Sequence, residues 1–343
     1  MRNFLVIVIL LFLASCADTK QTRKFNTVEI QTVFTDSLSI RTIEIMGANN
    51  VAFAANKGAF GLINPQSGQV KVNTQQYDSI VPEFRATAHN SSDFFMLSIG
   101  SPALLYKTGD QGEMQLVYRE EDEQVFYDAM TFWNDQEGIA VGDSMNGCLS
   151  IIITRDGGYS WNKIPCSSLP KAEKGEGAFA ASNTNIKVLG NKAWVGTSKG
   201  NIYYSEDKGF SWKRIKTPID SSLDTQGIFS VDFYDENVGF AIGGDYTQPN
   251  KNVANKAITT DGGKTWQLIA SGELPNFRSC VQFVPNAQGE ELIALGFEGI
   301  AYSHDSGASW KQLSDESFYT MRFVNDSIAY AAGKNRIAKL VFK

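Results

Sequence analysis

Two histidines and four cysteines in 343 residues leave little with which to ligate a metal. No Cys/His set has metal-ligand spacing, so no zinc or other metal site is expected. No G-x-G-x-x-G follows a strand and opens a helix, and no helical crossover pattern is present. That excludes a dinucleotide fold and the nicotinamide chemistry it supports, and no cofactor is expected. Positive charge is also short, with 31 basic residues against 37 acidic ones, a net of −6. Such a balance argues against nucleic acid as a partner. The long apolar run Phe4–Leu13 is too short to span a bilayer.

What is present is repetition. Thr154–Trp161, Ser205–Trp212, Thr259–Trp266 and Ser303–Trp310 all fit [ST]-x-D-x-G-x-[ST]-W. Recurrence at about fifty residues marks a propeller or solenoid. Each copy lies between a β-prone run such as Ser150–Ile153 and a short amphipathic one such as Trp161–Ile164, which predicts a hairpin turn. The Asp (Asp156, Asp207, Asp261, Asp305) accepts backbone N–H groups two or three residues on and closes the turn. The Trp (Trp161, Trp212, Trp266, Trp310) buries a large apolar surface against a neighbouring unit. These residues are structural, and no catalytic residue is assigned.

Fainter copies extend the series upstream. Thr108–Gln115 keeps Asp110 and Gly112 without the Trp, and Asn64–Gly68 keeps little beyond Gly68. A second motif, F-x-x-x-x-x-G-x-A-x-G, runs through Phe132–Gly142 and Phe233–Gly243, with a variant at Phe323–Gly333 that no turn follows. The C-terminal unit therefore lacks a strand, and the alternating segment Val28–Phe34 has no unit of its own. Pairing the two ends closes a ring of seven blades and removes its open edge. The expected fold is all-β: a seven-bladed propeller of four-stranded blades over 28–343.

The N-terminus reads as an export address. A charged start, an apolar stretch and Leu13-Ala14-Ser15-Cys16 match a bacterial lipobox. Residues 1–15 are expected to be a signal peptide, Cys16 the lipidated first residue, and 16–27 a polar tether. Without Arg2 the net charge becomes −7. The expected location is the cell envelope, anchored by lipid at the outer membrane, with periplasmic and outward faces both open. Hairpin arithmetic sets Cys148 opposite Cys166 in the third blade, and an exported compartment permits a disulfide. Cys280 is left as a buried thiol.

The two motifs together resemble the BNR or Asp-box propellers, and among these the photosystem II stability/assembly factor-like group. The resemblance covers nearly the whole mature chain and is strongest in blades three, five and seven. It implies a non-enzymatic, seven-bladed scaffold that holds a protein client, with an arginine-rich patch for it. In this chain Arg41, Arg85, Arg278 and Arg322 fall near the starts of the first strands of blades one, two, six and seven, which adjoin once the ring closes. They are expected to form a basic crescent at the channel mouth that takes an acidic peptide or anionic glycan, since guanidinium groups bind carboxylates bidentately. Pairing with the local carboxylates Glu44 and Glu83 is the competing outcome. Stretches of blades three to five offer Asp128, Phe179 and Phe229 instead. A monomeric, protein-binding lipoprotein is the expected function. The alternative is a sialidase-like glycoside hydrolase, which needs three arginines, a Tyr nucleophile with a Glu, and an Asp acid. Tyr319 lies near Arg322, but the Arg-Ile-Pro motif of that class is absent at Arg41-Thr42-Ile43.

Overall fold

The computed structural model describes residues 24–47, 50–109 and 112–343. Seven sheets follow one another along the chain. Blades one to six occupy 42–74, 84–120, 127–163, 186–216, 228–268 and 280–314, each with four antiparallel strands in sequence order. The seventh combines Thr320–Phe323, the long run Ile328–Phe342 and Val28–Ser39. That run doubles back at Asn335, whose φ is 66°, so that the Phe342 N–H meets the Ser327 carbonyl at 2.9 Å. It thus supplies two adjacent strands, and Val28–Ser39 pairs antiparallel with the second, from Val28 opposite Phe342 to Ser39 opposite Lys334. The N-terminal strand closes the ring as the sequence predicts.

Each repeated turn is built by one hydroxyl and one carboxylate. In blade three the Gly158 N–H donates to Thr154 Oγ1 at 2.9 Å. Asp156 Oδ1 accepts the Ser160 N–H at 3.0 Å, and Oδ2 accepts the Ser160 hydroxyl at 2.6 Å. The same bonds recur at Asp207, Asp261 and Asp305. The carboxylate therefore reaches four residues on, further than expected, because the Thr or Ser hydroxyl already caps the glycine.

The tryptophans then join blades. Trp161 lies edge-on to Phe95 of blade two and Phe132 of its own blade. Trp266 meets Phe233, which stacks at 3.7 Å on Trp194 of blade four. Trp194 is fully buried and donates its indole N–H to the Gly262 carbonyl of the next blade at 2.9 Å.

One boundary moves. Signal residues 1–15 and Cys16 lie outside the described residues, as does Asp110. The expected tether, however, ends before residue 27: Phe25 is buried against Tyr302 and Phe342, and the Asn26 and Thr27 N–H groups donate to the Lys343 carbonyl. Apolar burial and backbone bonding pull these residues onto the ring. Cys148 and Cys166 are joined, with Cα atoms 5.5 Å apart. Cys166 sits in the 3-10 turn Cys166–Ser168, beyond the short return strand Asn162–Lys163, and not in a facing strand. Cys280 is a buried free thiol.

Replacing Trp194 by Ala removes one blade-to-blade stack and one indole hydrogen bond. The expected cost is about 3–5 kcal/mol, measurable as a lower urea midpoint than that of the wild-type chain.

Candidate functional site

The first strand of every blade faces the central channel, but a short segment blocks it. Ser182 donates to the Ser279 carbonyl of blade six at 2.6 Å and accepts, at its own carbonyl, the Thr320 hydroxyl of blade seven at 2.7 Å. Asn183 donates to the Thr87 carbonyl of blade two and accepts the Met130 N–H of blade three. Thr184 bonds Ser230 of blade five at 2.8 Å. All three are buried. Five blades are thus pinned to residues 182–184, and the channel becomes two separate depressions. No sequence motif marks this plug; its only trace is a run of small polar residues just ahead of the blade-four strand.

The larger depression, ≈570 Å³, opens where the first strands begin. One wall is aromatic. Phe179 stacks on Phe229 at 3.6 Å with the rings nearly parallel, Phe229 meets Phe277 edge-on at 4.8 Å, and Phe277 lies 4.9 Å from Phe297. Tyr246, from the Asn-rich insertion Asp245–Lys256 of blade five, joins the wall and remains 48% exposed.

The opposite wall is cationic. Arg41 lies with its guanidinium 4.3 Å over the Tyr319 ring, and its buried Nε has no hydrogen-bond partner. Burial, and next the charge of Arg85, lower its pKa. Arg85 pairs with Glu83 at 2.7 Å. Two guanidiniums therefore share this wall, Lys334 also lines the depression, and Glu83 is paired to Arg85.

Comparison with known proteins bears on this geometry. The Sortilin-Vps10 family (sortilin, neurotensin receptor 3) matches residues 149–283. A vacuolar protein sorting/targeting protein 10 of Colletotrichum graminicola is 33% identical over 79 residues, 23% of this chain. The match spans 4% of that protein's length. Among solved structures, YCF48 bound to a D1 peptide superposes with a TM-score of 0.67 at 13% identity, over 94% of this chain and 97% of that one. The WD40 repeats of RRP9 give 0.67 at 10% identity, over 93% and 100%. Virginiamycin B lyase of Staphylococcus aureus gives 0.69 at 13%, over 93% and 99%. These likenesses show the fold.

The four-arginine crescent does not form. Arg41 and Arg85 line the larger mouth, while Arg322 lines the smaller depression, ≈280 Å³, on the other side of the plug. There it faces Glu44 at 3.6 Å, which also bonds His89 at 3.1 Å. Arg41 precedes its strand, whereas Arg322 is the third residue of Thr320–Phe323. At about 3.3 Å per residue, that offset carries the side chain to the other end of the channel. Arg278 is buried, donating to the Phe277 carbonyl and to Gln312 Oε1 at 2.8 Å each. Burial lowers its pKa to about 10. It braces blade six and does not face the mouth.

Beside the arginines lies a feature the sequence did not announce: two adjacent carboxyls. Asp128 is fully buried. Burial, then the charge of Asp143, raise its pKa well above the carboxylate range. Asp143 accepts the Ala178 N–H at 3.0 Å, and burial raises it to about 6. Of the carboxylates near this wall, Glu83 is the one ion-paired to a guanidinium, that of Arg85. Because the folded chain holds the Asp143 proton above the ordinary Asp value of about 3.9, this group stabilises the fold at low pH. That contribution fades as pH rises from about 4 to 6. Asp143→Asn should abolish it. Wild type minus variant stability should fall by about 1–3 kcal/mol across that window, read from urea midpoints at pH 4.5 and 7.

Proposed function

We propose that this chain is a non-enzymatic, lipid-anchored binding propeller of the assembly-factor-like Asp-box type, and that the Arg41–Arg85 mouth receives an acidic segment of a protein partner. The observation that carries this is the unsatisfied cationic wall. Arg41 has a buried, unpartnered Nε–H beside the guanidinium of Arg85, which Glu83 already pairs, and a ligand carboxylate would give Arg41 the partner it lacks. A buried donor without a partner costs free energy that such a ligand returns. The aromatic wall opposite gives an apolar neighbour of that carboxylate somewhere to pack. The likeness to YCF48 bound to a D1 peptide supports a peptide occupant.

An anionic glycan is the second occupant consistent with paired guanidiniums. Sialidase-like hydrolysis fits less well. Two of the arginines converge where that chemistry uses three, and the Tyr319 ring supports Arg41. The anchor at Cys16 and an envelope location are the reading of the lipobox.

A fluorescent peptide carrying adjacent Asp, Glu and Phe residues should bind the full chain. In the Arg41→Ala/Arg85→Ala variant, anisotropy should show at least about tenfold weaker binding, the loss of roughly one charged hydrogen bond. Arg322→Ala, behind the plug, should stay within about twofold. Equal binding by wild type and the double variant would move the site elsewhere, and a sialylated glycan outcompeting the peptide would favour the glycan occupant.

Anchoring is tested separately. In a bacterial host, Cys16→Ser should shift the protein from the membrane pellet to the soluble fraction; an unchanged pellet fraction counts against lipidation at Cys16.

A further inference from the structure

The repeated turns close gaps between blades by a common device. The turn glycine lies so near the preceding blade that a Cβ would meet Phe95 at 2.3 Å from Gly158, Ile153 at 2.6 Å from Gly209, Trp194 at 2.9 Å from Gly263 and Phe240 at 2.3 Å from Gly307. The tryptophan three residues later packs into the same seam. Between blades one and two both halves of the device are missing. Gln115 holds the tryptophan position of the blade-two turn and is exposed, and a Cβ on Gly112 would meet nothing within 4 Å. On the facing blade, aligning Asn56-Lys57-Gly58 with Ser198-Lys199-Gly200 places Ala52 where blade four carries Trp194.

The outcome is an open apolar groove of ≈360 Å³, lined by Met46, Ala52, Phe60, Leu62, Phe94 and Met114. Other seams without the motif tryptophan are filled by different means. Phe34 lies 5.1 Å from Phe53 between blades seven and one, and Phe25 lies 5.0 Å from Tyr302 between blades six and seven. Among the described residues, Lys71 is the single charged side chain lining the groove, and it makes no ion pair with any of them.

We infer that this seam is a second binding site, which takes a tryptophan side chain of a partner protein with a carboxylate beside it. The chain itself shows the complement: in the four seams that carry the full turn signature, an indole (Trp161, Trp212, Trp266 or Trp310) packs between the blades. An apolar cavity of about 150 Å³ already takes benzene, so this one has room for an indole. Thioether and aromatic edges from Met46, Met114, Phe60 and Phe94 suit a flat ring. Lys71 at the rim supplies the charge complement for the carboxylate and gives the site a polarity that a purely apolar cleft lacks. Aromatic side chains seated in such pockets dominate the energetics of protein interfaces.

The test uses the full chain and three probes, indole, N-acetyl-tryptophan and N-acetyl-tryptophanamide, followed by ligand-observed NMR titration. Indole should bind in the millimolar range, and Ala52→Trp, which refills the seam from within, should weaken it at least about tenfold. N-acetyl-tryptophan should bind a few-fold tighter than the amide, with the difference lost in Lys71→Ala, as expected for a rim charge. Because a large residue at Ala52 could disturb packing, Gln115→Trp serves as a second filling variant, and both are used only if their melting curves match wild type. Arg41→Ala/Arg85→Ala should leave indole binding unchanged, which separates this site from the mouth. Indole binding that survives both filling variants, or none at about 5 mM indole, would overturn the inference. So would a dimer of the wild-type chain in sedimentation that Ala52→Trp dissolves, since the groove would then belong to a second copy.

Discussion

Everything in this molecule depends on the antiparallel pairing of its two ends. Propeller blades are not independently stable layers, because each exposes an apolar face that only the next blade covers. Closing the ring leaves no such face open. Val28–Ser39 on the C-terminal run performs that closure, and Phe34 and Phe25 carry aromatic surface into the seams on either side. Once the ring is shut, all first strands are held at a common radius, and only then do Arg41 of blade one and Arg85 of blade two meet Phe179 and Phe229 of blades four and five across one cavity.

Within that frame, a division of labour separates the rim from the centre. At the rim of blades three to six, self-contained turns hold the hairpin through a carboxylate and a hydroxyl, so four seams are sealed by tryptophans placed with little variation. At the centre, no such local code exists. Residues 182–184 reach five blades through hydrogen bonds that span up to 139 positions in sequence, and the buried hydroxyls bond one another or backbone carbonyls. The rim is local and repeated, while the hub is unique and long-range.

That contrast explains what could be read in advance. Glycine spacing, the turn signature and the unpaired N-terminal strand are periodic or local features, so they disclosed the seven blades and the closure. The arginines were harder. Their positions along the chain placed them near the first strands, but one to three residues of offset decided the outcome. Arg41 and Arg85 share the large mouth, Arg322 goes to the opposite end with Glu44, and Arg278 is buried within blade six against Gln312. The Asp128–Asp143 pair escaped notice because its partners lie on different strands and neither belongs to a motif. The plug escaped because Ser182, Asn183 and Thr184 look like any polar connection until the ring surrounds them.

The plug has a consequence for traffic through the molecule. A ring with an open axis could let an extended polypeptide pass from one side to the other, as a bead passes a thread. With Ser182–Thr184 bridged to opposite walls, the axis is stoppered and the aromatic–cationic depression is a cup with a floor. Whatever enters it must present a chain end or a tight bend, and must leave by the way it came. If the mouth binds as proposed, discrimination there rests on the shape of a terminus or a loop tip, and not on reading along a strand in transit.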